Sequence, residues 1–428
     1  MLKKFLMATT GVAFVALGVG KVSRAADFKV VADNLNSPRG LTFDSDGDLY
    51  VAEAGRGGTG PCIPAPGSGA DGPQMCSGST GAVTRIQNGK QERVVEDLPS
   101  LATSLPSLSA STNAFGPNDI EFDSNGKAYA VMGLGSSPEE RDNVLQVPEF
   151  GQLLTFDNIN GETSWTKLAD LAEYEAKYNP DSDNSGFYNP YNSGIDSNPY
   201  DLQIQENTAS IVDAAGNDLF EVKTDGSGLE LQTVFPERPV TDPATGETIG
   251  MQSVPTAVTT GSDEALYVGE LTGYPYPEDA ARIFRVSSDN QPKVYADDFT
   301  QISDIAFDNQ GGLYVLEYGT ESILSQGYGG PGTLIYVAPD GTRTTIASEE
   351  LISPSDLALG PNGNLYVSTQ SFVAGQGQVV KISNPQSATT VPEPSSALGS
   401  LAFGVFGAVL WLLRKKKTAS SVESHNNF

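Results

Sequence analysis

Histidine is almost absent from this chain: its one copy, His425, lies in a polar tail near the end of the 428 residues. Everything before that tail works without a Ser-His-Asp triad, a histidine-ligated zinc or iron centre, or a histidine general base. Any catalysis falls to carboxylates, tyrosines, Arg39 or a bound metal. Cysteine is scarce too, and its two copies, Cys62 and Cys76, lack the Cys-x-x-Cys spacing of a catalytic dithiol. The sequence contains no His/Cys copper site and no dinucleotide fingerprint to supply an electron acceptor. Basic residues are few, 25 against 53 acidic, for a net charge of −28. Eight of the basic and two of the acidic residues fall outside 27–390, so within that range 17 face 51, a net of −34. Nucleic acids and anionic lipid surfaces would both repel such a chain.

What the chain has in quantity is glycine and proline, 46 and 27 copies, which with 38% hydrophobic residues predicts a turn-rich, all-β core rather than long helices. The stretch Pro354-Ser-Asp-Leu-Ala-Leu-Gly-Pro-Asn-Gly-Asn-Leu-Tyr-Val367 reads as a hairpin, two alternating apolar strands around a Pro-Asn-Gly turn. The same grammar recurs at Pro38 with Leu49, Pro117 with Ala128, Pro199 with Ser210, Pro255 with Leu266, and Ile302 with Leu313. In all six copies the residue two after the opening position (Gly40, Asp119, Asp201, Ala257, Asp304, Asp356) stands ten before a Tyr or Ile (Tyr50, Tyr129, Ile211, Tyr267, Tyr314, Tyr366). A fixed inner offset with variable outer spacing marks a repeat whose hairpin is constrained and whose loops are not.

Further strands follow the hairpins at Arg93-Val-Val, Leu231-Gln-Thr-Val, Lys293-Val-Tyr-Ala and Thr344-Thr-Ile-Ala, each the last of a four-stranded unit. The sixth unit has a third strand, Gln378-Val-Val-Lys-Ile382, and no fourth, whereas Phe28-Lys-Val-Val-Ala32 precedes the first hairpin with no unit of its own. Pairing that first strand into the last sheet closes a ring and removes its open edge. The expected fold is a six-bladed β-propeller over 27–385, closed by the N-terminal strand, with long loops on one face.

Loop lengths locate that face. Turns at the far ends of the inner strands, such as Asp44-Ser-Asp-Gly-Asp48, are short, whereas the loops leaving the second strands, 54–80, 132–152, 271–280 and 318–332, are long. Such loops on a rigid scaffold either carry binding or are tolerated insertions. Onto the same face the repeat brings Asp119, Asp201, Asp304 and Asp356, with Glu53, Glu270 and Glu317 each three residues after its Tyr. Carboxylates converging on a channel mouth repel one another unless a cation is bound or some are protonated, and an all-oxygen set favours calcium or another hard divalent cation. The competing reading is that each Asp bonds neighbouring backbone N–H groups and fixes its turn. Arg39, the one basic residue among the openings, either pairs with Glu53 or holds an anionic substrate group.

Between the second and third hairpins lie a short helical pattern, Leu168-Ala-Asp-Leu-Ala-Glu-Tyr-Glu-Ala-Lys-Tyr178, and an Asn/Tyr/Ser-rich run. In that run Asp181-Ser-Asp-Asn-Ser-Gly186 resembles the opening of an EF-hand loop but lacks the closing Glu. Phe187, Tyr188, Tyr191 and Tyr200 either present aromatic faces to a flat aromatic substrate or pack the insertion against the blades. Cys62 and Cys76 flank a Gly/Pro-rich loop, and an isolated pair in an exported protein reads as a disulfide.

The blade-one run Asn36-Ser-Pro-Arg-Gly-Leu-Thr-Phe-Asp44, Leu49-Tyr-Val-Ala-Glu-Ala-Gly55, the Cys-bearing loop and Gly81-Ala-Val-Thr-Arg-Ile86 resemble the ScyD/ScyE family of exported NHL-like propellers. That resemblance covers about residues 28–385. It implies a role in producing scytonemin, the extracellular indole-phenol sunscreen pigment.

Both ends carry sorting signals. Residues 1–26 combine Lys3 and Lys4, an apolar run over 5–20 and Ser23-Arg-Ala25, the pattern of a secretory signal peptide, with an N-terminal anchor as the alternative. After a linker over 386–394 that ends in Val391-Pro-Glu-Pro394, residues 395–417 give an apolar run and the basic stop Arg414-Lys-Lys-Lys417, followed by a polar tail over 418–428. This resembles the PEP-CTERM signal, which implies an exosortase-type processing machinery and transient membrane association through that segment; left uncleaved, it is an anchor. The propeller is exported, to the periplasm, outer envelope or extracellular space. Two functions remain open: a metal-dependent enzyme for oxidative coupling of phenolic or indolic precursors, or a non-catalytic propeller that binds a small aromatic molecule, a glycan or an envelope protein.

Overall fold

Three of the inner hairpins turn on a carboxylate that accepts two N–H groups, those at Asp44, Asp123 and Asp308. Asp44 Oδ1 accepts the N–H groups of Asp46 and Asp48 at 3.0 and 2.9 Å, while Gly47 takes φ +83°. Asp308 repeats this with Gln310 and Gly312, both at 2.8 Å, with Gly311 at φ +84°. One side chain satisfies two turn donors and glycine supplies the left-handed backbone, so the chain reverses in few residues. The flanking strands then pair in the register that puts like faces together, as Leu41 with Val51 and Leu357 with Val367.

The computed structural model describes residues 27–383 apart from 67, 69–70, 106–109, 162 and 183–193. Among the described residues the strands form six antiparallel sheets, the blades, and a separate hairpin of Arg238–Thr241 with Thr248–Met251. From the innermost strand outward, blade two comprises Pro117–Phe122, Ala128–Met132, Gln152–Phe156 and Trp165–Asp170. Blades three, four and five begin with Pro199–Gln205, Pro255–Thr260 and Ile302–Phe307 and have the same four-stranded order. Blade one, opening with Pro38–Phe43, is larger: Ala110–Phe115 adds to its outer edge and Cys62–Pro64 pairs with Gln74–Gln87. Cys62 and Cys76 are partners in that pairing and form a disulfide. Blade six runs Asp356–Leu359, Leu365–Thr369, Gly377–Ser383, and its fourth strand is Asp27–Leu35, with Phe28 opposite Ile382. The propeller is thus closed by its N-terminal strand.

The tyrosine of the repeat explains itself in the contacts between blades. Tyr50 of blade one meets Phe122 of blade two edge-on, with ring centres 4.8 Å apart. Tyr267 does the same to Phe307 of blade five at 4.8 Å, and Tyr366 to Phe43 of blade one at 5.1 Å. The repeated Tyr therefore sits where a sheet must be filled against the last residue of the next inner strand. Blade three has Ile211 there, and its neighbour offers Thr260 instead of an aromatic ring.

The helix expected over 168–178 begins later. Residues up to Asp170 pair with Gln152–Phe156, and Asp170 then caps the helix Leu171–Tyr178 by accepting from the Glu173 N–H at 2.8 Å. A strand that still has a partner outcompetes helical periodicity until a cap satisfies the first free N–H groups.

Tyr50 is fully buried, and its hydroxyl also donates to Asn160 at 2.9 Å. Tyr50→Ala should lower unfolding free energy by about 3–5 kcal/mol. Urea titration of the purified protein measures this, and a loss under 1 kcal/mol would contradict the role given to the ring contact.

Candidate functional site

The four aspartates of the repeat meet in the central channel, and each reaches across to the next blade. Asp119 Oδ2 accepts the N–H of Leu202 at 3.1 Å, Asp201 Oδ2 that of Val258 at 2.6 Å, Asp304 Oδ2 that of Leu357 at 2.9 Å and Asp356 Oδ1 that of Leu41 at 2.9 Å. The acceptor is always two residues after an opening residue and the donor three after the next one. Asp201 and Asp304 also accept their own following N–H, from Leu202 and Ile305, at 2.8 and 2.7 Å. Two junctions lack the link because Gly40 and Ala257 stand at the aspartate position. At Gly40 a side chain has no room: a β-carbon would lie 1.8 Å from Asp119 Oδ1.

Here the channel holds a cavity of about 260 Å³ lined by these four aspartates and Glu121. Ligand oxygens of Asp119, Asp201 and Asp356 lie within 4.8 Å of one another. Among the described residues no Lys or Arg lines the cavity. Burial, and then the neighbouring carboxylates, push Asp119, Asp304 and Asp356 well above the ordinary carboxylate range. Burial alone raises Asp201 to about 6, its hydrogen bonds holding it back, and it raises Glu121 to about 7. Glu121 is absent from the sequence-based set, although its place two residues after Asp119 on the same strand puts it on the same side of the strand.

Glu53, Glu270 and Glu317 do not join this cavity. Each is buried at the end of its blade's second strand and holds the chain that leads into the same blade. Glu53 accepts the Asn36 N–H at 2.6 Å, Glu270 the Ser253 hydroxyl at 2.7 Å and Glu317 the Thr300 N–H at 2.7 Å, each two residues before an opening residue. Arg93 pairs with Glu53 at 2.8 Å, and Arg282 and Arg238 pair with Glu270 at 2.6 and 3.1 Å. Among the described residues Glu317 makes no ion pair, and burial raises it to about 7. Asp213 is the blade-three equivalent, opposite Pro199 as Glu53 is opposite Pro38, and it accepts from Ser197 and Asn198 at 2.6 Å each. A one-residue shorter spacing from Ile211 hid it from a count of three.

One residue toward the loops lies a second cavity, about 310 Å³, over the mouth of the channel. Arg39, Tyr200 and Thr256, the residues just after three opening positions, form its floor. Its walls come from all four long loops, with Pro66, Gly135, Tyr276, Tyr318 and Tyr328 among the residues supplied, and Phe115 and Phe372 complete the aromatic lining. The Tyr328 and Phe372 rings stack, with centres 5.4 Å apart and planes 9° off parallel. Burial raises Tyr200, Tyr276 and Tyr318, so these phenols remain hydroxyl donors. The expected Arg39–Glu53 pair is replaced: Arg93 occupies Glu53, whereas Arg39 Nη2 donates to the Ala114 carbonyl at 2.9 Å and its buried Nε has no hydrogen-bond partner among the described residues. Asp196 brings the opposite charge to the lining. Tyr188 and Tyr191, with Phe187 and most of the Asp181–Gly186 motif, lie outside the described residues. The loop aromatics carry no repeat signal, and Tyr276, Tyr318 and Tyr328 are absent from the sequence-based set.

Raised carboxylates fix the sign of a pH effect. With Asp201 at about 6 and Glu121 at about 7, the folded chain holds protons between pH 4 and 7 that the unfolded chain has released. In chelator, stability should therefore be greatest near pH 4 and fall as pH rises to about 7, with Asp201→Asn flattening the profile. Urea midpoints across that range decide it; a profile rising from pH 4 to 7 would contradict the assignment.

Residues 390–416 match the PEP-CTERM protein-sorting motif, which marks the chain as exported and cell-envelope-directed and implies exosortase-type processing machinery. No helix among the described residues is long and apolar enough to cross a membrane. The chain is similar to the soluble aldose sugar dehydrogenase of Escherichia coli in its apo form, at 13% identity, covering 84% of this chain and 99% of that one with a TM-score of 0.45. It is also similar to a gluconolactonase of Xanthomonas campestris, at 11% identity over 83% and 90% of the two chains with a TM-score of 0.45. A catalytically inactive virginiamycin B lyase from Staphylococcus aureus with quinupristin is similar at 12% identity over 83% and 98%, TM-score 0.41. No curated protein sequence matches the chain significantly.

Proposed function

We propose that this exported propeller captures a flat phenolic or indolic molecule carrying an acidic group, in keeping with its resemblance to the scytonemin-associated ScyD/ScyE family. The observation that carries the reading is the mouth cavity, where aromatic rings and phenol donors surround a guanidinium whose Nε has no partner among the described residues. Rings stack on a flat aromatic body, phenols donate to its oxygens, and Arg39 takes its negative charge. The cavity's size suits one or two fused rings.

A second reading, a divalent-metal-dependent enzyme that couples such precursors oxidatively with an external oxidant such as dioxygen as the electron acceptor, draws on the carboxylates one residue deeper. Two oxygens on opposite sides of a calcium ion at about 2.4 Å are about 4.8 Å apart, the span within which the Asp119, Asp201 and Asp356 oxygens fall. A carboxylate oxygen that accepts one N–H keeps a lone pair for a cation. Asp119, Asp201 and Asp356 would hold the ion, with Asp304 beside them. A bound divalent cation would neutralise the ring and act as a Lewis acid on a ligand oxygen reaching down past Tyr200.

Calorimetric titration with indole-3-carboxylate and 4-hydroxybenzoate tests the first reading. Arg39→Met should weaken both by about 10–100-fold, as expected for loss of a charge-assisted hydrogen bond, and should leave the neutral parent ring systems nearly unaffected. Absence of binding, or equal affinity in the variant, would sink it. For the second reading, the Asp119→Asn/Asp356→Asn double variant should lose metal occupancy by elemental analysis while keeping the folded circular dichroism spectrum. Turnover of phenolic or indolic substrates that chelator abolishes and added metal restores would establish catalysis, whereas ligand binding unchanged by chelator would leave the protein a binder.

A further inference from the structure

Away from the channel, the inserted helix and the third blade bury two carboxylates against each other. Glu175, on the inner face of the helix Leu171–Tyr178, and Asp218, which starts the third strand of blade three, are both 0% exposed. Among the described residues no other group donates a hydrogen bond to any of their four oxygens, and the two carboxylates lie within hydrogen-bonding reach of each other. Asp213, equally buried and five residues from Asp218, gives the contrast: it accepts from the Ser197 hydroxyl and from the N–H groups of Asn198, Ala215 and Gly216 at 2.6–3.1 Å. This part of the molecule can satisfy a buried carboxylate with its own donors, and at Glu175 and Asp218 it does not.

Those two side chains face one small space. A β-carbon on Gly216 would lie 2.8 Å from Glu175 Oε1 and 3.3 Å from Asp218 Oδ1, so both oxygens look into the volume that the glycine leaves open. Asn179, one helical turn after Glu175 and therefore on its side of the helix, has a buried Oδ1 that also lacks a partner among the described residues. The segment is tied down next to this space: Asn179 ends the helix in the left-handed conformation, and the Asp181 carboxylate accepts from the Asn217 amide at 2.9 Å. The charges acting on Glu175 are those of Asp213, Asp181 and Asp196, all of the same sign as its own. Burial and those neighbours raise it to about 8, and burial followed by Glu175 raises Asp218 well above the carboxylate range.

We propose that Glu175, Asp218 and the Asn179 carbonyl oxygen form a calcium site that pins the inserted helix to blade three. Oxygen-only donors, two of them charged carboxylates and one an amide carbonyl, suit a hard cation with flexible coordination better than zinc or copper. The alternative occupant of the space is a proton shared by the two carboxylates. This site is independent of the channel aspartates and of the proposed ligand.

Equilibrium dialysis of the full-length chain in mild detergent against calcium chloride at pH 7.5 measures stoichiometry, and melting in calcium or chelator measures the stabilisation. Asp218→Asn and Glu175→Gln should each lose one equivalent of calcium and most of the calcium-dependent rise in Tm, and Gly216→Ala, which fills the space, should do the same. Asp119→Asn should keep that equivalent and that rise, which separates this site from the channel. Terbium supplies a readout that leaves the ligands intact: Tyr174, whose phenol senses both Asp218 and Glu175, should sensitise its luminescence, and Tyr174→Phe should remove that signal without changing calcium stoichiometry. The shared proton is the answer, and the proposal falls, if calcium stoichiometry is the same in the wild type and the two carboxylate variants and Tm is equal in calcium and chelator. Should those variants fail to fold, terbium luminescence equal in the wild type and Tyr174→Phe overturns the proposal on its own.

Discussion

A carboxylate crossing from one blade to a backbone N–H of the next is the interaction on which the ring depends. Adjacent inner strands of a propeller share no ladder, so their inward edges would face the channel with unpaired donors. Asp119, Asp201, Asp304 and Asp356 supply acceptors at four of the six junctions, each in the same register. That solution concentrates negative charge in a confined volume with no lining Lys or Arg among the described residues. Repulsion in such a place is relieved by protons or by a divalent ion, and by little else. The channel therefore acquires affinity for positive charge as a consequence of how the blades are joined. Gly40 shows how tight the arrangement is, since Asp119 fills the space where a side chain at that position would go.

Acids at the ends of the second strands meet the same problem with a different outcome. Glu53 and Glu270 gained arginines from the outer strands or from the extra hairpin, and their charge is matched inside the blade. Glu317 relies on the Thr300 N–H, and burial raises it to about 7. Matched acids of this kind fix the turn leading into a blade and are closed to ligands. The unmatched aspartates of the channel remain open to them. Burial is common to both sets, so what separates anchoring from candidate binding is whether the acid is held by the chain of its own blade, as Glu53, Glu270 and Glu317 are, or lines the channel.

Much of this architecture was legible in the sequence because a hairpin repeat fixes spacing. The offset of ten from Gly40 or an aspartate to Tyr50 and its equivalents located every blade, and the unpartnered strand at Phe28 located the closure. The four aspartates followed from the same offset. Direction was harder to read: Glu53, Glu270 and Glu317 come to the loop face as expected, but pleat and twist turn them into the blade rather than toward the axis. Arg39 was open between two partners because Arg93, forty residues from Glu53, is connected to it only through the outer strand. Asp213 escaped the count because blade three is one residue shorter there. Aromatics such as Tyr276 and Phe372 come from loops without periodicity, and only folding gathers them. Glu175 and Asp218 lie 43 positions apart in elements of different type, and no spacing rule relates them.

The two cavities near the axis are physically linked through Tyr200. It lines the aromatic mouth, the next residue is Asp201, and its phenol is influenced by Asp356, Asp201 and Asp304 from below as well as by Arg39 from the side. Burial first, and then the negative charge beneath, hold the hydroxyl protonated, while the guanidinium favours the phenolate. A cation entering the ring would cancel the first influence and leave the second, making Tyr200 a stronger hydrogen-bond donor toward a ligand anion. An anion in the mouth would in turn favour the cation below it, since opposite charges separated by little more than one residue attract in a poorly solvated site. Reciprocity of binding free energies then requires each to tighten the other. The charge that joins the blades is thereby coupled, through one phenol, to the surface that the long loops build.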